Sequence, residues 1–455
     1  MKKITNTISL MLLLVLAGGG LFAQSTTMPL LEISANQRYF ATADGKPFFW
    51  LGDTGWLLLT KCTREEAIQY LDVRKKQGFN VIQVMLLHTL KAVNVYNDSA
   101  LVQHDISRPD LKNKYWAHVD FVIKAAAARG IYMALVPVWG GNVKDGHVSV
   151  EQAEAYAAFL AKRYGPYNNI IWLNGGDIKG SDGYEVWQSI GATLKRFDKR
   201  HLVTFHPRGR TSSSEWFHQA AWLDFNMFQS GHKDYSQDTS SNETNHYGED
   251  NWRFVVKDLG LSPKKPTLDA EPSYENIPHG LHDSLEERWT DADLRRYAYW
   301  SVFAGGAGFT YGENSVMQFH GPGDKGASFG PDKNWKHTLH APGAGQMKYL
   351  KQLMESKPFS EGVPAQEILP ANELEKYDYL LATKGRKYGM VYTYTGRKFS
   401  VDLSKLSFVP TTAAWYNPRN GKQQTIAKKL SKAIINFDPP GQPSAGNDWV
   451  LIIKK

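Results

Sequence analysis

The chain has 455 residues, with 53 Lys and Arg against 45 Asp and Glu for a formal net charge of +8. That length implies a large domain with a smaller companion, and the basic residues are scattered rather than striped, which argues against nucleic-acid binding. Cys62 is the single cysteine, so an internal disulfide and any cysteine-built metal cluster are excluded.

Lys2 and Lys3, the apolar run from Ile8 to Leu16, and Leu21-Phe22-Ala23 lay out a secretory signal peptide over 1–23. The expected mature chain starts near Gln24, exported to the periplasm or the exterior. The run is shorter than the roughly 20 apolar residues a membrane span needs, so no membrane span is expected. Leu31 to Asp44 reads as a hairpin with a turn at Asp44-Gly45, placed to cap a barrel floor.

Strand-like and helix-like runs then alternate. The predicted strands are Pro47–Asp53, Val81–Leu87, Tyr132–Trp139, Ile170–Asn174, Leu202–His206, Phe225–Gln229, Thr267–Glu271 and Gly308–Gly312. They are short and apolar on both faces, as strands covered by helices must be. Thr63-Arg64-Glu65-Glu66 is a capping box that opens a helix stopped by Gly78. Further helices are expected over 115–128, 150–164, 184–197, 251–259, 291–303 and 343–356. Eight strands in such alternation, with no Gly-rich phosphate loop after the first, predict an α/β fold: a (β/α)8 TIM barrel over 24–357. From Pro358 to Lys455, short strands separated by Gly, Pro and Asn turns predict a small antiparallel β-sandwich. The expected sandwich strands are Tyr379–Thr383, Tyr388–Tyr394, Thr412–Tyr416, Ala433–Phe437 and Trp449–Ile453. A packing role is expected for it.

In such a barrel the chemistry belongs at the C-terminal strand ends. Asp53, His88, Trp139, Asn174, Asp177, His206, Gln229, Glu271 and Tyr311 stand at or just beyond those ends. Glu271 precedes Pro272 and is therefore extended, free to project into the mouth. Asp177 follows Gly175-Gly176, which permit a tight backbone near a ligand. Facing carboxylates from the fourth and seventh strands suit glycosidic cleavage, in which one protonates the leaving oxygen while the other attacks or activates water. Asp53, His88, Asn174, His206 and Gln229 are expected to hydrogen-bond a sugar, and Trp139 and Tyr311 to stack on one. The 14 Trp, 22 Tyr and 21 Phe favour a carbohydrate site, since sugars lay their C–H faces on such rings. His88, His206 and Asp53 lack metal-ligand spacing, so no metal is expected.

Four segments carry a resemblance: Phe49-Trp50-Leu51-Gly52-Asp53-Thr54-Gly55-Trp56, Gln77-Gly78-Phe79-Asn80-Val81-Ile82-Gln83, Trp172-Leu173-Asn174-Gly175-Gly176-Asp177 and Asp269-Ala270-Glu271-Pro272. Through them the chain resembles the apiosidase-like hydrolases of glycoside hydrolase family 140, within the clan of retaining (β/α)8 glycosidases. Gly-Gly-Asp departs from the Asn-Glu usual in the wider clan and sets the chain apart from ordinary cellulases and mannanases. The resemblance implies Asp177 as acid/base, Glu271 as nucleophile, no cofactor, and hydrolysis of β-linked D-apiose in the complex pectin rhamnogalacturonan-II. The alternatives are a related glycosidase, endoglucanase-like, on another plant polysaccharide, or a non-catalytic carbohydrate-binding protein.

Overall fold

Three short antiparallel strands come first: β1 (Leu31–Ile33), β2 (Phe40–Thr42) and β3 (Pro47–Phe48). The computed structural model describes residues 28–455 apart from 242, 372, 373 and 432, so the signal-peptide reading of 1–23 lies outside the described residues. Phe40 packs edge-on against Phe225, with ring centroids 4.9 Å apart, and lies 5.6 Å from Trp50. Both partners sit at the entry ends of barrel strands, so this small sheet closes the floor.

The barrel strands are β4 (Trp50–Thr54), β5 (Val81–Met85), β6 (Tyr132–Val136), β7 (Ile170–Ile178), β8 (Val203–Pro207), β10 (Asn226–Gln229), β11 (Thr267–Asp269) and β12 (Gly308–Tyr311). They pair in parallel in the order β8-β7-β6-β5-β4-β12-β11-β10, and β9 (Thr211–Ser212) runs antiparallel on β10. Between β8 and the start of β10, the Asp224 N–H donates to Val203 O at 2.9 Å and the Val203 N–H to the Asp224 carboxylate at 2.7 Å. Residues of these strands are buried on both faces, which is why they read as near-continuous apolar runs. Inside the barrel, Gln83 Nε2 donates to Ala270 O at 2.9 Å, tying the second strand to the seventh.

The helices begin where their caps place them. Thr63 accepts from the Glu66 N–H, and the Glu66 side chain accepts from the Thr63 N–H, before the helix Arg64–Lys76. Ser149 and Gln152 do the same for Val150–Tyr164. Among the described residues no helix is long and apolar enough to cross a membrane.

The C-terminal unit is an antiparallel sheet ordered β13-β14-β15-β20-β17-β18, faced by the pair β16-β19. Its strands are β13 (Val363–Pro364), β14 (Leu381–Lys384), β15 (Tyr388–Thr393), β16 (Phe399–Asp402), β17 (Thr412–Tyr416), β18 (Gln423–Lys428), β19 (Ile434–Phe437) and β20 (Trp449–Lys454). Val391, Phe399, Val401, Trp415, Phe437 and Leu451 fill the space between them. This sandwich docks on the barrel helix Asp291–Phe303. Arg295 grips buried Asp448 through Nε at 2.9 Å and Nη2 at 3.0 Å, and Tyr299 stacks on Tyr392 at 4.9 Å.

Candidate active site

A cavity of about 690 Å³ opens at the C-terminal strand ends and is lined by Asp177, Glu271, Trp56, His88, Trp139, Arg208, Gln229, His232 and Tyr274 among others. Asp177 reaches it by an unusual backbone. Gly175, Gly176 and Asp177 have φ of 85°, 118° and 46°, three successive left-handed residues. The register of β7 against β8 breaks between Gly175 and Ile178. A Cβ at Gly175 would meet the Phe205 ring at 2.6 Å and His206 O at 2.7 Å; one at Gly176 would meet the Trp139 ring at 2.6 Å. Two glycines are therefore required both by conformation and by space. Their effect is to bend the strand end and present Asp177, itself a residue type that tolerates this region, to the cavity.

Glu271 follows β11 and is nearly buried, at 7% exposure. His232 Nε2 lies 3.2 Å from its Oε1 and His206 Nε2 lies 3.4 Å from its Oε2. The Tyr274 hydroxyl, three residues on, lies close to Glu271 and accepts from Trp56 Nε1 at 3.2 Å. Trp56 in turn sits edge-on to His206, 5.3 Å away. The hydrogen bond with His232 fixes one carboxylate oxygen, and His206 and Tyr274 crowd the other side.

The two carboxyls are electrostatically unequal. Crowding by the cleft walls and then the negative charge of Glu271 push the Asp177 carboxyl up to about 7. Arg208 and hydrogen bonds from the Gln229 side chain and the Gly209 N–H pull the other way. Asp177 borders the cavity, and there the charge of Glu271 adds to the dehydration. Near neutral pH the pair can offer a proton from Asp177.

Residues 34–361 match the family described as "Apiosidase-like, catalytic domain". The chain belongs to the apiosidase-like family. Residues 363–454 match a second family, "Putative collagen-binding domain of a collagenase". A solved "Glycoside hydrolase" is 46% identical, covering 94% of this chain and 97% of its own, with a TM-score of 0.91. A glycoside hydrolase family 5 structure from Bacteroides vulgatus is 45% identical over 94% of both chains, with a TM-score of 0.89. A search of curated proteins finds no match. The protein is a glycoside hydrolase, with a carbohydrate as its substrate.

Within this apiosidase-like barrel, His88, Trp139, Gln229, Asp177 and Glu271 line the cavity as the sequence led one to expect. His206 is fully buried behind Glu271 and touches the carboxylate without lining the cavity. Three expectations are corrected. Asp53 is fully buried with its Oδ2 2.6 Å from Arg74 Nε and 2.5 Å from the Tyr70 hydroxyl, an ion pair beneath the site. Asn174 is buried, donating to Trp187 O at 2.7 Å and accepting from the Gly175 N–H. Tyr311 donates to buried Glu275 at 2.5 Å and offers no face for stacking. These side chains brace strand ends and loops.

Trp56, Arg208, His232 and Tyr274 were missed. Trp56 and Tyr274 stand three residues beyond Asp53 and Glu271, a spacing that lets a loop turn a side chain back over the strand end. His232 lies three beyond Gln229 in the same way. Arg208 follows His206-Pro207, and its position after the fifth barrel strand was the available signal.

Proposed function

We propose that this is an exported, retaining glycosidase that releases β-linked D-apiose from complex pectin of the rhamnogalacturonan-II type. The observation that carries the reading is the unequal pair: Asp177 raised to about 7 beside Glu271. Asp177 donates its proton to the leaving oxygen while ionised Glu271 attacks the anomeric carbon. A glycosyl ester on Glu271 results; Asp177, now the base, takes a proton from water, which displaces the carboxylate with net retention. His232 Nε2, 3.2 Å from Glu271 Oε1, favours a carboxylate when it donates. Membership of the apiosidase-like family favours apiose. Lys144 and Lys233 along the cavity suit an acidic polysaccharide. Export rests on the basic-apolar-small layout of 1–23.

The 45% identical relative described as family 5 favours a second reading, cleavage of a different β-glycoside on the same carboxylates. Incubation with rhamnogalacturonan-II separates the two. Free apiose, first formed as the β-anomer by NMR, supports the proposal. No apiose, with another plant polysaccharide cleaved, supports the alternative, and an inverted product would rule out retention.

A further inference from the structure

Two large apolar residues on the cavity wall are held in a conformation that costs energy. Leu281 has φ of 79° and Phe329 φ of 61°, in the left-handed region that side chains larger than Asn seldom enter. Both line the cavity and are partly buried, with one side packed against the barrel core and the rest facing the cavity. Their loops are pinned on each side. The Gly280 N–H donates to His232 O at 2.8 Å, and the Leu281 N–H to Pro278 O at 3.0 Å. Phe329 O accepts from Asn314 Nδ2 at 3.0 Å, and the Ser328 N–H donates to Gln318 Oε1 at 2.8 Å. Gly330 O accepts from Arg288 Nη2 at 2.8 Å, which ties the Phe329 loop to the loop bearing Leu281. Lys61 holds Asp324 at the far side of the second loop. Strain persists only where the surroundings over-determine it, and it collects at ligand sites.

We infer that Leu281 and Phe329 form the apolar wall of a second subsite, which takes the C–H face of a sugar ring adjoining the one cleaved at Glu271. The space in front of Glu271 is already bounded by Trp56, His232 and Tyr274. Leu281 and Phe329 come from farther along the loops after β11 and β12, at the half-exposed rim, with His282 5.8 Å from Phe329. A cavity of about 690 Å³ falls in the size range of sites for ligands well larger than one five-carbon sugar. The loops after β6, β8 and β10 supply Lys144, Arg208, Arg210 and Lys233 to the same cavity. An oligosaccharide, with one apolar ring face and a polar edge, fits between such walls. This rests on glycoside hydrolysis and not on apiose as the sugar.

The test compares two substrates of one enzyme. The first is whichever oligosaccharide wild type cleaves from a panel of rhamnogalacturonan-II, homogalacturonan, arabinan and mannan fragments. The second is the glycosyl fluoride of the sugar released, which has no adjoining ring. Phe329→Gly removes the ring and suits the left-handed backbone. It is expected to lower kcat/KM on the oligosaccharide by about ten-fold, mainly through KM, leaving the fluoride within about two-fold. Its Tm should stay within a few degrees of wild type, and Phe329→Tyr should restore oligosaccharide hydrolysis. Equal losses on both substrates, an unchanged KM for the oligosaccharide, or a Tm collapse with both activities lost together would overturn the subsite. Failure to cleave rhamnogalacturonan-II, with another fragment cleaved, would count against apiose alone.

Discussion

Two barrel strands carry Gly-Asp next to their last residue, and their aspartates have opposite fates. After Gly52, Asp53 stays within β4, fully buried, its carboxylate held by Arg74 and Tyr70. After Gly176, Asp177 turns through a left-handed backbone into the cavity. The difference lies in the neighbours. Tyr70 and Arg74 stand four apart on the helix Arg64–Lys76, so both project from one face onto Asp53. Among the described residues Asp177 has no ion pair of its own: Arg208 lies near it but is engaged by buried Glu243 at 2.8 Å. A carboxylate that is neutralised by a dedicated partner braces the barrel; one left facing a second carboxylate is available for proton transfer.

The sharpest way to break this contrast is to remove each charge in turn. With Glu271 as the proposed nucleophile, Glu271→Gln removes the attacking charge and is expected to abolish turnover on every substrate, measured by released sugar, with the fold retained by circular dichroism. Asp177→Ala should cost about 10²–10⁴-fold on natural glycosides and much less on an aryl glycoside with a low-pKa leaving group. Azide should partly restore deglycosylation. Equal losses on both substrates without rescue would mean that Asp177 does not serve as the acid.

Asp53→Ala belongs to the other side of the comparison. It strands Arg74 in the barrel without a counter-charge and should cost about 3–5 kcal/mol of stability in a denaturant titration. The folded fraction should keep its kcat. A stable Asp53→Ala protein with lost catalysis would put Asp53 back at the site.

The smallest effect is one of linkage. The folded-state pKa of Asp177 is raised to about 7. Its favourable protonated form therefore contributes fully below the unfolded value, about 3.9, and that contribution is lost as pH rises through about 7. Asp177→Asn, which keeps a residue at home in the left-handed region, should gain Tm relative to wild type as pH rises from about 4 to about 7. A Tm difference that does not change with pH would contradict it.

The barrel was legible because its strands are buried on both faces and so carry uninterrupted apolar runs. The helices Val150–Tyr164, Tyr184–Phe197 and Asp291–Phe303 match the periodicity to the residue. In the sandwich, β16 and β18 escaped notice. Phe399–Asp402 alternates over only four residues, and Gln423–Lys428 is an exposed edge strand whose polar residues hide its register. At the cavity, Asp177 and Glu271 were legible from Gly-Gly-Asp and Glu-Pro at strand ends. Asp53, Asn174 and Tyr311 looked equivalent because strand position says nothing about which way a side chain points. That is decided by partners such as Arg74, Trp187 and Glu275, brought close only by the fold.

The most direct measurement is the pKa of Asp177 itself, followed by ¹³C NMR of its carboxyl carbon in wild type and in Glu271→Gln. Coupling between the two carboxyls gives a wild-type value near 7 and a clear fall once the charge of Glu271 is gone. An ordinary carboxylate value in both proteins, or one that Glu271→Gln leaves unmoved, would contradict a paired acid and nucleophile at this site.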